Sequence, residues 1–175
     1  MGSTVVCKAS PMFVGDTSSQ PHHLHVVAFP SSNAAALERA YAIRLEVFAN
    51  EQGFDAAIDK DELDAISTHF LLFVSPEDTS DLSRATGVAR LFTYEAEEGT
   101  AKIGRVAVRA SARMKGAGKA LMQGVEDEAR RQGFKKLKLH AQTHAMRFYT
   151  VCGYQPVGEI FLEEGADHIA MIKRL

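Results

Sequence analysis

The sequence predicts a mixed α/β fold in which strand hairpins alternate with crossover helices, in the order β-α-β-β-β-α-β-α-β-β. Three observations predict it. Short runs rich in β-branched and aromatic residues recur, among them Val26-Val27-Ala28-Phe29 and Phe70-Leu71-Leu72-Phe73-Val74. Segments with helical periodicity lie between them and stop at glycines such as Gly53 and Gly133. A glycine-bearing turn joins the strand-like run Ile103–Val108 directly to a helix. At 175 residues the chain has the length of one domain. We read residues 22–175 as that domain and 1–21 as a flexible N-terminal extension. The extension has no periodicity and carries Pro11, Gly15 and Pro21, with Val5-Val6-Cys7 as a short stray strand.

The first strand of the domain ends at Pro30, and Ser31, Ser32 and Asn33 offer N-cap side chains to a helix reaching about Asn50. Leu37, Ala40, Tyr41, Val47 and Phe48 fall on one stripe of that helix. Arg44 and Glu51 follow Leu37 at heptad spacing and share the stripe if the helix extends that far. Charges on an apolar face are costly unless paired. The two residues therefore form either a buried ion-pair network or an active-site wall, and the wall is favoured. A short helix near 59–64 precedes a strand over 68–74. Segments 85–94 and 100–109 form an antiparallel pair around Glu97-Glu98-Gly99. The next helix carries Leu121, Val125 and Ala129 inward, and 135–141 is a strand. Residues 144–152 form a helix, and strands over 154–162 and 168–174 close the chain around a Glu-Glu-Gly turn.

The turn after Val108 is the chemically informative element. The first N–H groups of a helix lack internal partners and sit at its positive end, and glycines allow close approach to the backbone. Such a turn suits a phosphate or pyrophosphate. A P-loop needs Gly-x-x-x-x-Gly-Lys-Ser/Thr, but Arg113 holds the first glycine position and Ala120 follows Gly118-Lys119. A dinucleotide fingerprint needs a third glycine, where Leu121 stands. The spacing Val108-x-x-x-x-Arg113-x-x-Gly116-x-Gly118 resembles the coenzyme A loop of the GCN5-related N-acetyltransferase (GNAT) superfamily, with Ala110 where that family usually has Pro. Phe148-Tyr149-Thr-Val-Cys-Gly153-Tyr154 resembles its downstream tyrosine segment, with Gln142 where many members have Asn. Arg44-Leu-Glu-Val-Phe48-Ala-Asn-Glu51-Gln52, the acidic run Asp59–Asp64, His69, and Glu163-x-Gly165-x-x-His168 resemble the ElaA-like subgroup.

The resemblance implies a GNAT-like splayed central sheet with acetyl-CoA between its fourth and fifth strands. It implies that Val106, Ala107 and Val108 hold the pantetheine arm. Arg113, Met114, Lys115, Gly116, Ala117, Gly118 and Lys119 would hold the pyrophosphate. Tyr149 would protonate the departing thiolate, a role that suits a phenol of ordinary pKa about 10. Glu51 ranks first as the base that deprotonates the amine, because a carboxylate on an apolar stripe has a raised pKa. His69, His140 and His168 are the other candidates, and Glu51 can instead bind the cationic acceptor. Arg44, Gln52, His69 and His168 are expected on the acceptor side. The function expected is acetyl-CoA-dependent N-acetylation of a small amine in a ternary complex, by a monomer or homodimer. A coenzyme A-binding sensor or interaction module is the alternative.

Composition narrows the field. Residues 102–138 carry eleven Lys/Arg and three Asp/Glu, whereas 45–98 carry three and thirteen. A basic half suits an anionic cofactor, and an acidic half attracts a cationic acceptor, unless both are merely solvated faces. The basic half lacks interleaved aromatics and the net charge is −2, which argues against nucleic acid. The two cysteines, Cys7 and Cys152, suggest a reducing compartment, and the cytoplasm is expected. No apolar run is long enough for a membrane span. His22, His23 and His25 alternate into a strand and are not read as a metal site.

Overall fold

The computed structural model describes residues 5–8, 24–113 and 116–175. Eight strands form one sheet in the order β1-β2-β3-β4-β5-β6-β8-β7. They are β1 (Val5–Lys8), β2 (His25–Pro30), β3 (Thr68–Phe73), β4 (Gly87–Thr93), β5 (Thr100–Val108), β6 (Lys136–Gln142), β7 (Gln155–Glu163) and β8 (Ala166–Arg174). The element order expected for the domain is present, with β1 added antiparallel to β2. The remainder of the 1–21 extension, with His22 and His23, lies outside the described residues, as do Met114 and Lys115.

Two helices cover the two faces of the sheet. Helix α1 (Ala34–Arg44) is capped by Asn33, whose side chain accepts from the Ala36 N–H at 3.2 Å. It lays Ala36, Ala40 and Ile43 on Phe29, Leu71, Phe73 and Val88. A one-turn helix α2 (Leu63–Ile66) precedes β3. Helix α3 (Ala117–Arg131) lays Leu121, Val125 and Ala129 on the other face, against Phe70, Leu72, Leu91 and Leu137. This explains why β3 is apolar without alternation: both of its faces are covered, and only Thr68 is incompletely buried. Gly124 permits the close contact of α3 with the sheet, since a Cβ there would lie 2.6 Å from Val26 Cγ1.

Two irregularities shape the region beside α4 (Met146–Val151). Helix α1 does not run on as an α-helix to Asn50; residues Leu45–Glu51 form a π-helical turn. Strand β5 carries a bulge. Val88 faces Ala107 and Arg90 faces Gly104, so Arg105 and Val106 together oppose Ala89. Arg105 takes up the extra residue at φ 51°, a left-handed conformation unfavourable for a side chain of this size. Parallel pairing of β5 with β6 is confined to Thr100–Ile103 against Lys136–Leu139. Beyond Ile103 the strands part, which is the splay the sequence resemblance implies.

Candidate active site

A cleft of about 310 Å³ opens where β5 leaves β6. The π-turn contributes Phe48 and Ala49 to its wall, with Gln52 just beyond, and the β5 bulge contributes Gly104, Arg105 and Val106. The opposite wall is His140 and Gln142 of β6, Tyr149 of α4, and Glu163, Glu164 and His168 of the β7–β8 hairpin. The hairpin can turn so tightly because Glu164 and Gly165 both have positive φ, 50° and 80°.

The turn into α3 has the features of an anion site. Gly116 is its N-cap at φ 76°, and no side chain caps the first turn. The N–H groups of Ala117, Gly118 and Lys119 thus stand at a positive helix end without a capping side chain. Gly118 faces Phe148, and a Cβ there would lie 3.1 Å from the ring. Ala107 is buried, and Val106 and Val108 are half-buried along the part of β5 that β6 does not cover. Arg113 turns back rather than outward: its Nε donates to the Val108 carbonyl at 2.8 Å, and its guanidinium pairs with Glu51.

Tyr149 is 8% exposed and packs edge-on against Phe148 and Tyr154, with ring centroids 5.0 and 6.1 Å away. Burial pushes its phenol far above the ordinary value. The phenol therefore stays protonated across the physiological range.

On the acceptor side the structure separates residues that the heptad spacing groups. Arg44 is fully buried. Its Nε donates to the Asp59 carboxylate at 3.0 Å and its Nη1 to Asp64 at 2.8 Å. Asp64 also receives Arg90 at 2.8 Å, and Arg90 grips Asp61 at 2.6 and 2.7 Å. Arg44 thus lies in a buried ion network, not in the acceptor wall. His69 is also a core residue. It is fully buried, its Nε2 lies 2.8 Å from the Asp64 carbonyl, its ring stacks on Phe29, and burial lowers its pKa. Three of the four carboxylates in the run Asp59–Asp64 are paired with these arginines, which leaves less of its charge to attract a cationic acceptor.

Glu51 departs from its expected setting as well. A π-turn has more residues per turn than an α-helix, so the heptad stripe loses its phase after Arg44. Glu51 is swung out to solvent, pairs with Arg113, and has its pKa lowered by that pair rather than raised by burial. Gln52 and His168 do line the cleft.

Two further charged groups in the cleft, Arg105 and Lys102, escape the sequence reading. Arg105 reaches Asp61 at 3.4 Å and Glu164 at 3.1 Å, tying the bulge to both the acidic run and the hairpin. Glu163 holds His140 Nδ1 at 2.9 Å, and Lys102 Nζ approaches the same nitrogen at 3.4 Å. The sequence offers His140 as one of several candidate bases. Its partner Glu163 was visible only as part of the hairpin signature. Among the described residues no group of His, Cys, Asp and Glu has the makings of a metal site. No described helix is long and apolar enough to cross a membrane.

Residues 42–175 match the acetyltransferase (GNAT) domain family. The chain is 32% identical over 144 residues to the uncharacterized N-acetyltransferase YjcF of Bacillus subtilis, covering 82% of this chain and 96% of that one. It is 30% identical over 135 residues to Escherichia coli protein ElaA, covering 76% and 84% respectively. The crystal structure of ElaA superposes with a TM-score of 0.70 over 86% of this chain and 99% of that one, at 26% identity. A putative N-acetyltransferase from Lactobacillus plantarum superposes with a TM-score of 0.74 at 28% identity, covering 87% and 98%.

Proposed function

The chain belongs to the GNAT acetyltransferase family, in its ElaA-like group, and on that premise we propose that it transfers the acetyl group of acetyl-CoA to the primary amine of a small acceptor. The observation that carries this reading is a juxtaposition. A stretch of β5 edge without a strand partner and a buried phenol line one cleft where the sheet divides, and the uncapped N-terminus of α3 lies against α4 beside the phenol, Gly118 facing Phe148. Each answers one need of thioester aminolysis. The α3 N-terminus, from Gly116 to Lys119, takes the pyrophosphate. The β5 edge from Val106 to Val108 takes the pantetheine arm, and one of its N–H groups donates to the carbonyl oxygen as that becomes an oxyanion. Tyr149 protonates the leaving sulfur. The dry surroundings that raise the phenol pKa raise that of the thiolate too, so the proton transfer is not opposed by the full shift.

Gln52 and His168, across the cleft from one another, contact the acceptor. The protein works in the reducing cytoplasm as a monomer or homodimer. Calorimetric titration of the full chain with acetyl-CoA tests the cofactor half, and thiol release against polyamines, amino sugars, arylamines and peptides tests the transfer half. Absence of coenzyme A binding removes the reading. Binding without thiol release from any amine replaces it with a coenzyme A sensor.

A further inference from the structure

We propose that His140, held by Glu163, is the base that takes the proton from the acceptor amine. The inference rests on the acetyl-transfer reading and assigns the group that reading leaves open. Glu51 faces solvent in an ion pair, and His69 is sealed in the core. His140 stands in the cleft wall together with Tyr149.

Its surroundings set its protonation state. From β7, Glu163 places both carboxylate oxygens within 2.9–3.0 Å of Nδ1. The Nδ1–H donates to that carboxylate, which leaves the lone pair on Nε2. Nε2 makes no hydrogen bond to the described residues and is not among their buried, unpartnered atoms, so it is open to the cleft. From β5, Lys102 brings a positive charge to 3.4 Å of the ring. Lys138, on β6 itself, adds a second, more distant one. From β8, His168 stacks on Phe161, which in turn meets the His140 ring edge-on at 4.9 Å. Burial and the two lysines lower the imidazole pKa, and Glu163 raises it in part. The balance keeps His140 neutral and ready to accept a proton at neutral pH.

The step balances as follows. An ammonium acceptor gives one proton to His140 Nε2, and the freed lone pair forms the N–C bond while the C=O π pair moves to oxygen. Collapse of the adduct breaks the C–S bond. The sulfur leaves with the electron pair and takes the Tyr149 proton. The surplus N–H proton of the adduct restores the phenol through solvent, one N–H stays in the amide, and His140 releases its proton to water.

The test is the pH dependence of thiol release from acetyl-CoA with spermidine, glucosamine and an arylamine as probes. It compares the wild-type chain with His140→Gln, Glu163→Gln and Lys102→Gln. His140→Gln is expected to lower kcat about 10²-fold or more with unchanged coenzyme A affinity, the scale of a lost general base. Glu163→Gln removes a group that raises the imidazole pKa, so the acidic limb of kcat/KM moves to lower pH. Lys102→Gln removes one that lowers it, so the limb moves to higher pH. These opposite displacements would not arise from a packing role. Wild-type turnover in His140→Gln, or an acidic limb that neither variant moves, overturns the assignment while the acetyl-transfer reading stands. Failure of the wild-type chain to release thiol with any of the amines removes both.

Discussion

Replacing Arg44 with Met removes the guanidinium at the centre of the buried ion network and keeps most of the side-chain length. Two carboxylates lose a partner, but neither is left alone. Asp64 keeps Arg90 at 2.8 Å, and Asp59 keeps Arg105 at 3.7 Å. Breaking a buried pair costs about 3–5 kcal/mol when the survivor is stranded, so the retained partners place this case near the lower end, about 3 kcal/mol. For a chain of this size that corresponds to a fall of roughly 6–12 °C in Tm. The pH dependence carries the same signature. The Asp64 carboxyl is held at about 2, below its ordinary 3.8, by Arg44 and Arg90 working against its burial. A depressed carboxylate contributes stability that is present above the ordinary value and lost as pH falls through the folded-state value. The wild-type chain therefore loses about 2 kcal/mol from this group between roughly pH 4 and pH 2. Without Arg44 the Asp64 pKa rises, and this acid-linked loss becomes smaller. Urea and thermal unfolding of both chains, each from pH 2 to 7, measure these quantities, and calorimetry with acetyl-CoA reports on the site. A variant within about 1 kcal/mol of wild type that no longer acetylates amines would refute the reasoning and return Arg44 to the acceptor wall.

Three other outcomes are expected. Tyr149→Phe deletes only the hydroxyl, so coenzyme A affinity survives while turnover falls about 10²-fold; an undiminished single-turnover rate would assign the proton to another donor. Glu51→Gln leaves thermal unfolding and the acidic limb of the pH–rate profile in place, because Arg113 keeps this carboxylate ionised at neutral pH; a displaced limb would restore Glu51 as the base. Gly124→Ala presses a methyl group into the stiff Val26 side chain and costs about 1–3 kcal/mol in urea denaturation, against the stabilisation usual for Gly→Ala within a helix; a neutral or stabilised variant would show that α3 can lift from the sheet without loss.

The strands β3 to β8 are legible in the sequence to within two residues, because each is a short apolar run bounded by glycine, proline or acidic turns. The loop at Gly116 and Gly118 is legible for a related reason: it needs residues that few other structures require in that order. The acceptor side is legible only at Gln52 and His168, which line the cleft as expected, and the cause of the rest is geometric. The heptad from Leu37 through Arg44 to Glu51 assumes an unbroken α-helix, and the π-turn after Arg44 invalidates it. Arg105 gives no local sign that it occupies a left-handed bulge position, since a large β-flanked residue is not expected there. The arginines that neutralise Asp59, Asp61 and Asp64 lie 15 to 46 residues away, a distance at which charge patterning along the chain carries no information. His140 and Glu163 are likewise 23 residues apart and meet across β8, which pairs with both of their strands.

That placement of β8 has a consequence for how the molecule is made. β8 follows β7 in the chain but lies between β7 and β6 in the sheet. During synthesis β6 is finished well before any partner for its second edge exists. The edge is spoken for only when the β7–β8 hairpin has emerged and docks as a unit, with β8 matching Lys136–Gln142 through seven residue pairs. Until then an unpaired strand edge is displayed beside a half-built cleft, the kind of surface on which nascent chains cross-associate. Association through that edge before residues 166–174 have emerged would therefore compete with folding.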